Sequence, residues 1–99
     1  MVAVTTMIVG VMEVSLAIYG ATSLKDKRRV VRSLKDKISH RFNVSVAEID
    51  ELDFAKKAVL GFAMVGNDRE YMEGALNKIV EQLQWVRDAS LMEFNIEWY

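Results

Sequence analysis

Apolar and polar residues alternate with a period of two from Met7 to Tyr19. Met12, Val14, Leu16 and Ile18 are separated by Glu13, Ser15, Ala17 and Tyr19. That spacing predicts a β-strand whose even positions face a core. Gly20-Ala21-Thr22 then reads as a turn. Ser23 is placed to cap a helix, and Asp26 falls at its third position, where a carboxylate complements the helix dipole. The helix runs from Lys25 to Arg41, with an apolar seam of Val31, Leu34 and Ile38 widened by Val30 and the stem of Lys27. Phe42 and Asn43 close it. Val44 to Ile49 reads as a second strand and Asp50 to Phe54 as an acidic turn. Ala55 to Gly66 is a third strand, and its Val59 to Val65 stretch is apolar on both faces, which predicts a central place in a sheet. Asn67 or Asp68 caps a second helix, with Glu70 spaced for a capping box with Asn67. Its seam is Met72, Leu76, Ile79, Leu83 and Val86. The last strand, Leu91 to Tyr99, sets Met92, Phe94, Ile96 and Trp98 against Glu93, Asn95 and Glu97.

The predicted order is βαββαβ. Each helix is long enough to cross between parallel strands, and the central pair forms a hairpin. Folding that order into one sheet gives an α+β, ferredoxin-like two-layer sandwich. It has a four-stranded antiparallel sheet in the order 4-1-3-2, with both helices on one face.

Composition narrows the chemistry. The chain has 99 residues, 52% of them apolar, which predicts one folded domain over 1–99. It has no cysteine and one histidine, so a thiolate zinc site is excluded and no metal or cofactor is expected. Its apolar stretches fall short of the roughly 20 residues that span a bilayer. The start, Met1 to Thr6, lacks a basic segment of the secretory kind. A cytoplasmic location, away from the membrane, is the resulting expectation.

Charge is segregated. Leu24 to Arg41 holds eight Lys or Arg against two Asp, whereas residues 42–99 hold five against eleven acidic groups. Such a split suggests a partner field, either a polyanion or an acidic face of another copy. On a helical wheel Lys25, Arg28, Arg29, Arg32 and Lys35 gather opposite the apolar seam. Five cations on one rigid face suit successive phosphates. The plainer alternative is a solvated helix surface in which Asp26 and Asp36 pair with Arg29, Arg32 or Lys35.

Other residues offer further candidate surfaces. The bare sheet face would carry Glu13, Ser15, Ala17, Tyr19, Glu93, Asn95 and Glu97. It is acidic and poor in aromatics, so it does not suit RNA binding of the RNA-recognition-motif kind. With Gly61 and Ala63 in the neighbouring strand, Glu13, Ser15, Ala17 and Tyr19 form a candidate homodimer face. Glu48, Asp50, Glu51 and Asp53 crowd the hairpin, with Lys56 and Lys57 as nearby partners. Their spacing is that of a solvated turn rather than a Ca²⁺ loop. His40 ends the basic helix without an identifiable catalytic partner. Trp85 lies off the second helix's seam, either folded over the core edge or free for a partner.

The run Ser23-Leu24-Lys25-Asp26-Lys27-Arg28-Arg29-Val30-Val31-Arg32-Ser33-Leu34 resembles the YlxP-like family of small uncharacterised bacterial proteins. Arg41-Phe42-Asn43-Val44-Ser45-Val46-Ala47-Glu48 and the Gly66-Asn67-Asp68 turn carry the same resemblance. It extends from about Met7 to Trp98 and leaves residues 1–6 as an N-terminal extension. It implies a ferredoxin-like fold and a family without an established role. Genes of that family often neighbour those of translation initiation and ribosome maturation, which points toward RNA or ribosomal particles.

Three functions follow as expectations. The first is a nonenzymatic binding protein that contacts RNA or the ribosome through the basic helix, with no catalytic residue. The second is a small-molecule-binding or regulatory homodimer. The third is an acylphosphatase-like enzyme. That activity would use the Gly20–Ser23 loop as a phosphate cradle, but the loop lacks the arginine such enzymes need.

Overall fold

The computed structural model describes residues 6–99. Apart from Thr6, the extension expected at 1–6 lies outside the described residues. Six elements follow in the expected order: β1 (Ile8–Ile18), α1 (Leu24–Arg41), β2 (Ser45–Asp50), β3 (Lys57–Gly66), α2 (Arg69–Leu83) and β4 (Ala89–Trp98). The strands form one antiparallel sheet, β2-β3-β1-β4, which is the predicted 4-1-3-2 order read from the other edge. This is the ferredoxin-like βαββαβ topology.

The alternation in β1 decides which face is covered. Met12, Val14, Leu16 and Ile18 are buried under the helices, and Glu13 between them is exposed. Phe62, Leu60 and Met64 of β3 continue that inner layer. Val31, Leu34 and Ile38 close it from α1, and Met72, Leu76, Ile79 and Leu83 from α2. Gly10 is required by close packing. A β-carbon there would lie 2.8 Å from the Trp98 ring and 3.2 Å from Leu76. The Arg69 guanidinium lies over the Trp98 ring, 5.0 Å from its centroid.

Three local readings are corrected. Of the two candidate caps Asp68 is the one used, accepting from the Tyr71 backbone N–H at 3.1 Å, so the capping box drawn from Asn67 does not form. Glu70 then falls at the second helical position, too early to close a capping box. The helix ends at Leu83, so Val86 packs on the core from the following loop. In β4 the register shifts, so that Leu16 pairs with Leu91 and Ser15 with Glu93. The extra residue of this bulge is Met92, which is exposed rather than inward-facing.

Candidate basic-helix interface

The start of α1 is built by its own side chains. Ser23 Oγ accepts from the Asp26 N–H at 3.1 Å, as an N-cap should. Asp26 reaches back and accepts from the Thr22 N–H at 3.2 Å and the Thr22 hydroxyl at 3.0 Å. These bonds, the backbone N–H first, hold its carboxyl below the usual carboxylate value. The Thr22 donors of the Gly20–Ser23 loop are therefore occupied by a carboxylate of the chain itself.

Lys27 fixes the helix against the sheet. The periodicity placed its stem on the seam, and the structure buries the whole side chain, ammonium included. Its Nζ donates to the carbonyls of Glu51 (2.7 Å), Lys57 (3.2 Å) and Leu52 (3.4 Å). Three N–H bonds are thereby used. Glu48 Oε2 sits 2.7 Å from Nζ but off hydrogen-bond geometry, a Coulombic neighbour that balances the buried charge. Glu51 takes a left-handed backbone (φ 57°), and its carbonyl serves both Lys27 and the Phe54 N–H. Glu48 thus belongs to the helix anchor, and its partner is Lys27 rather than Lys56 or Lys57. Spacing alone hid this pair, because a lysine on a seam usually snorkels out to water.

With Lys27 turned inward, the outward face of α1 is left to the other cations. Lys25, Arg28, Arg29 and Arg32 line one shallow cleft with Ser33, Asp36, Lys37, His40 and Arg41. Lys35 is half-buried and lies outside that cleft. A helix turns about 100° per residue, which puts Lys35 about 80° around from Lys25. Among the described residues, none of these cations has a carboxylate within 4 Å. The local pairing offered as the plainer alternative does not form. Asp26 is engaged at the N-cap, and Asp36 makes no ion pair among the described residues. The Asp36 carbonyl accepts from His40 at 2.8 Å, so Nδ1 carries the ring proton.

The remaining candidates fall elsewhere. Glu13, Ser15 and Ala17 share the open sheet face with Gly61 and Ala63, Glu13 pairing with Gly61, Ser15 with Val59 and Ala17 with Lys57, whereas Tyr19 follows the end of β1 and lines a cleft with Asp26, Arg29 and Val30 of α1. The room above Gly61 is taken by Ile49 of β2, whose Cγ2 would stand 3.0 Å from an added β-carbon. Trp85 is 82% exposed. At the sheet edge the Tyr99 hydroxyl donates to Glu97 Oε2 at 2.8 Å, and that acceptor and its charge raise the phenol above its ordinary pKa. Among the described residues, no group of His, Asp or Glu is arranged to hold a metal ion, and no helix is long and apolar enough to cross a membrane.

Sequence reading missed a second cleft, of about 320 Å³, at the far end of α1. Arg41, Phe42 and Asn43 meet Met64 to Asp68 there, with Tyr71, Met72 and Ala75 of α2. The RFN and GND segments, both quoted above for their resemblance, were the available signal; only the fold brings them together.

A family model described as "Protein of unknown function (DUF503)" matches residues 9–96. The chain is 29% identical over 91 residues to the uncharacterized protein YlxP of Bacillus subtilis (strain 168), covering 92% of this chain and 99% of that one. Among solved structures, an amidase of the hydantoinase/carbamoylase family from Burkholderia phymatum aligns at 17% identity with a TM-score of 0.41. The match covers 92% of this chain but only 28% of the amidase, and a likeness that loose carries no conclusion.

Proposed function

The chain belongs to the DUF503 family, and from that footing we propose that it is a cytoplasmic, nonenzymatic binding protein that contacts structured RNA, in free or ribosomal form, through the outer face of α1. One observation carries the reading. Lys25, Arg28, Arg29 and Arg32 stand on one face of a helix locked to the sheet by Lys27, and none is neutralised by a carboxylate within 4 Å among the described residues. Like charges at helical spacing destabilise a helix unless a counter-charge arrives. RNA phosphates supply it, and arginine binds them through paired N–H groups. From Lys25 to Arg41 the face runs about 24 Å, at 1.5 Å per residue. Double-stranded RNA is recognised largely through such backbone contacts and helix shape.

A gel-shift titration against ribosomal RNA across a salt series tests this. Four neutralised phosphates give a slope of log affinity on log salt of roughly −3 to −4. Arg28→Glu with Arg32→Glu should reduce that slope by about half and lower the affinity at every salt. Absent binding, or binding indifferent to both salt and the double substitution, refutes the proposal.

A further inference from the structure

The cleft at the C-terminal end of α1 has the parts of a nucleotide pocket. Arg41 belongs to both surfaces: it lines the basic face of α1 and also the cleft formed with the end of β3 and the start of α2. A phosphate chain running along the helix would be delivered to the cleft by this one guanidinium. The cleft measures about 320 Å³, close to the lower end of the range for small-ligand pockets. Apolar Phe42, Met64, Met72 and Ala75 line it. The Tyr71 ring at its rim is 75% exposed. A tyrosine held there on a helix offers a stacking surface for a base.

The polar groups are open as well. The side-chain amides of Asn43 and Asn67 make no hydrogen bond among the described residues, and Arg41 has no carboxylate within 4 Å among them. An amide presents a donor and an acceptor side by side, the pattern that pairs with a base edge. Asp68, the one acidic group lining the cleft among the described residues, already caps α2 through Oδ1, which leaves Oδ2 to accept from an exocyclic amine. A free inorganic anion would gain Arg41 but would face Asp68 and an apolar lining. A base with its 5′ or 3′ phosphate on Arg41 uses every group present.

We propose that this cleft receives one unpaired nucleotide of the RNA, its phosphate on Arg41, its base against Tyr71 and its edge read by Asn43 and Asn67. The inference rests on the reading of α1 as an RNA-binding face. It adds that binding is directed to junctions where a helix ends or bulges, rather than to uniform duplex.

Fluorescence anisotropy with three RNA hairpins of one stem tests it: one blunt, one with a single unpaired nucleotide, and one with an abasic residue at that position. The intact protein should bind the unpaired nucleotide about ten-fold more tightly than the other two, since one stacked base contributes a factor of that order. Tyr71→Ala and Asn67→Ala should erase the difference, leaving blunt-stem affinity and its salt slope unchanged. Tyr71→Phe, which keeps the ring, should preserve the preference. Equal binding of all three hairpins overturns the cleft while leaving the α1 reading intact, as does a preference that survives Tyr71→Ala. Failure of all three to bind overturns both.

Discussion

Among the described residues, Lys27 is the one polar side chain that is fully buried. Its ammonium is fully buried, yet it is served by three carbonyls and a carboxylate that come from β2, the β2–β3 loop and β3. One side chain of α1 therefore fixes both helix position and loop conformation, including the left-handed backbone at Glu51. Replacing it by methionine keeps the volume but leaves three carbonyls and Glu48 without their cation. Removing one partner of a buried pair costs about 3–5 kcal/mol. Glu48 retains some contact with water, so Lys27→Met should fall near the low end, about 3 kcal/mol. Urea denaturation checks this. Adding Glu48→Met removes the orphaned charge and should recover part of the loss; a double variant as unstable as the sum of the singles contradicts the pairing. In sequence the seam position of Lys27 was legible, but the partner was not. Glu48 lies in another strand, amid acidic residues nearer to Lys56 and Lys57 along the chain.

At the scale of elements, regular periodicity was easily read and its interruptions were not. The alternation of β1 and the caps of α1 follow from residue type, and Ser23 and Asp26 do what their positions predict. The β4 bulge does not follow, because Met92 is as apolar as its inward neighbours and only the pairing with β1 shows that it is the extra residue. The cap of α1 also makes a testable link to pH. Hydrogen bonds from Thr22 depress the Asp26 pKa in the folded chain. The unfolded chain therefore takes up a proton first on acidification, and the stability due to this carboxylate is complete above its unfolded value. It is lost as pH falls through the lower folded value, below about pH 4. Asp26→Asn should lower the urea midpoint at pH 7, and its gap from the unsubstituted protein should narrow between pH 4 and pH 2. A gap that stays constant over that range would place the effect of Asp26 in shape rather than in charge.

Across the whole molecule, α1 and the open sheet face carry opposite charge, while α2 beside α1 mixes both signs. The helix layer presents free cations along α1, whereas Glu13, Glu93 and Glu97 lie on the open sheet face. An isologous pairing of two sheet faces would bring these carboxylates toward their copies, while the cationic face is directed away from the sheet. The segregation was visible in the sequence; that it leaves arginines unpaired was not, because Asp26 is drawn into the N-cap and Asp36, though it lines the same cleft, comes within 4 Å of no cation among the described residues. This distinction yields a final test, which separates a solvated face from a binding one without any RNA present. Lys25, Arg28, Arg29 and Arg32 oppose one another at three- and four-residue spacings, so the free protein carries avoidable repulsion. Arg28→Glu would place a carboxylate three residues after Lys25 and four before Arg32, both favourable pairs. It should raise the stability of the free protein by about 0.5 kcal/mol, or about 2–4 °C in melting temperature for a chain of this size. The gain should shrink as salt screens the pairs. The same substitution should weaken RNA binding. A residue that lowers stability while increasing affinity is retained for the partner rather than for the fold. If Arg28→Glu instead destabilises the free protein at low salt, the arginine serves the fold rather than a partner.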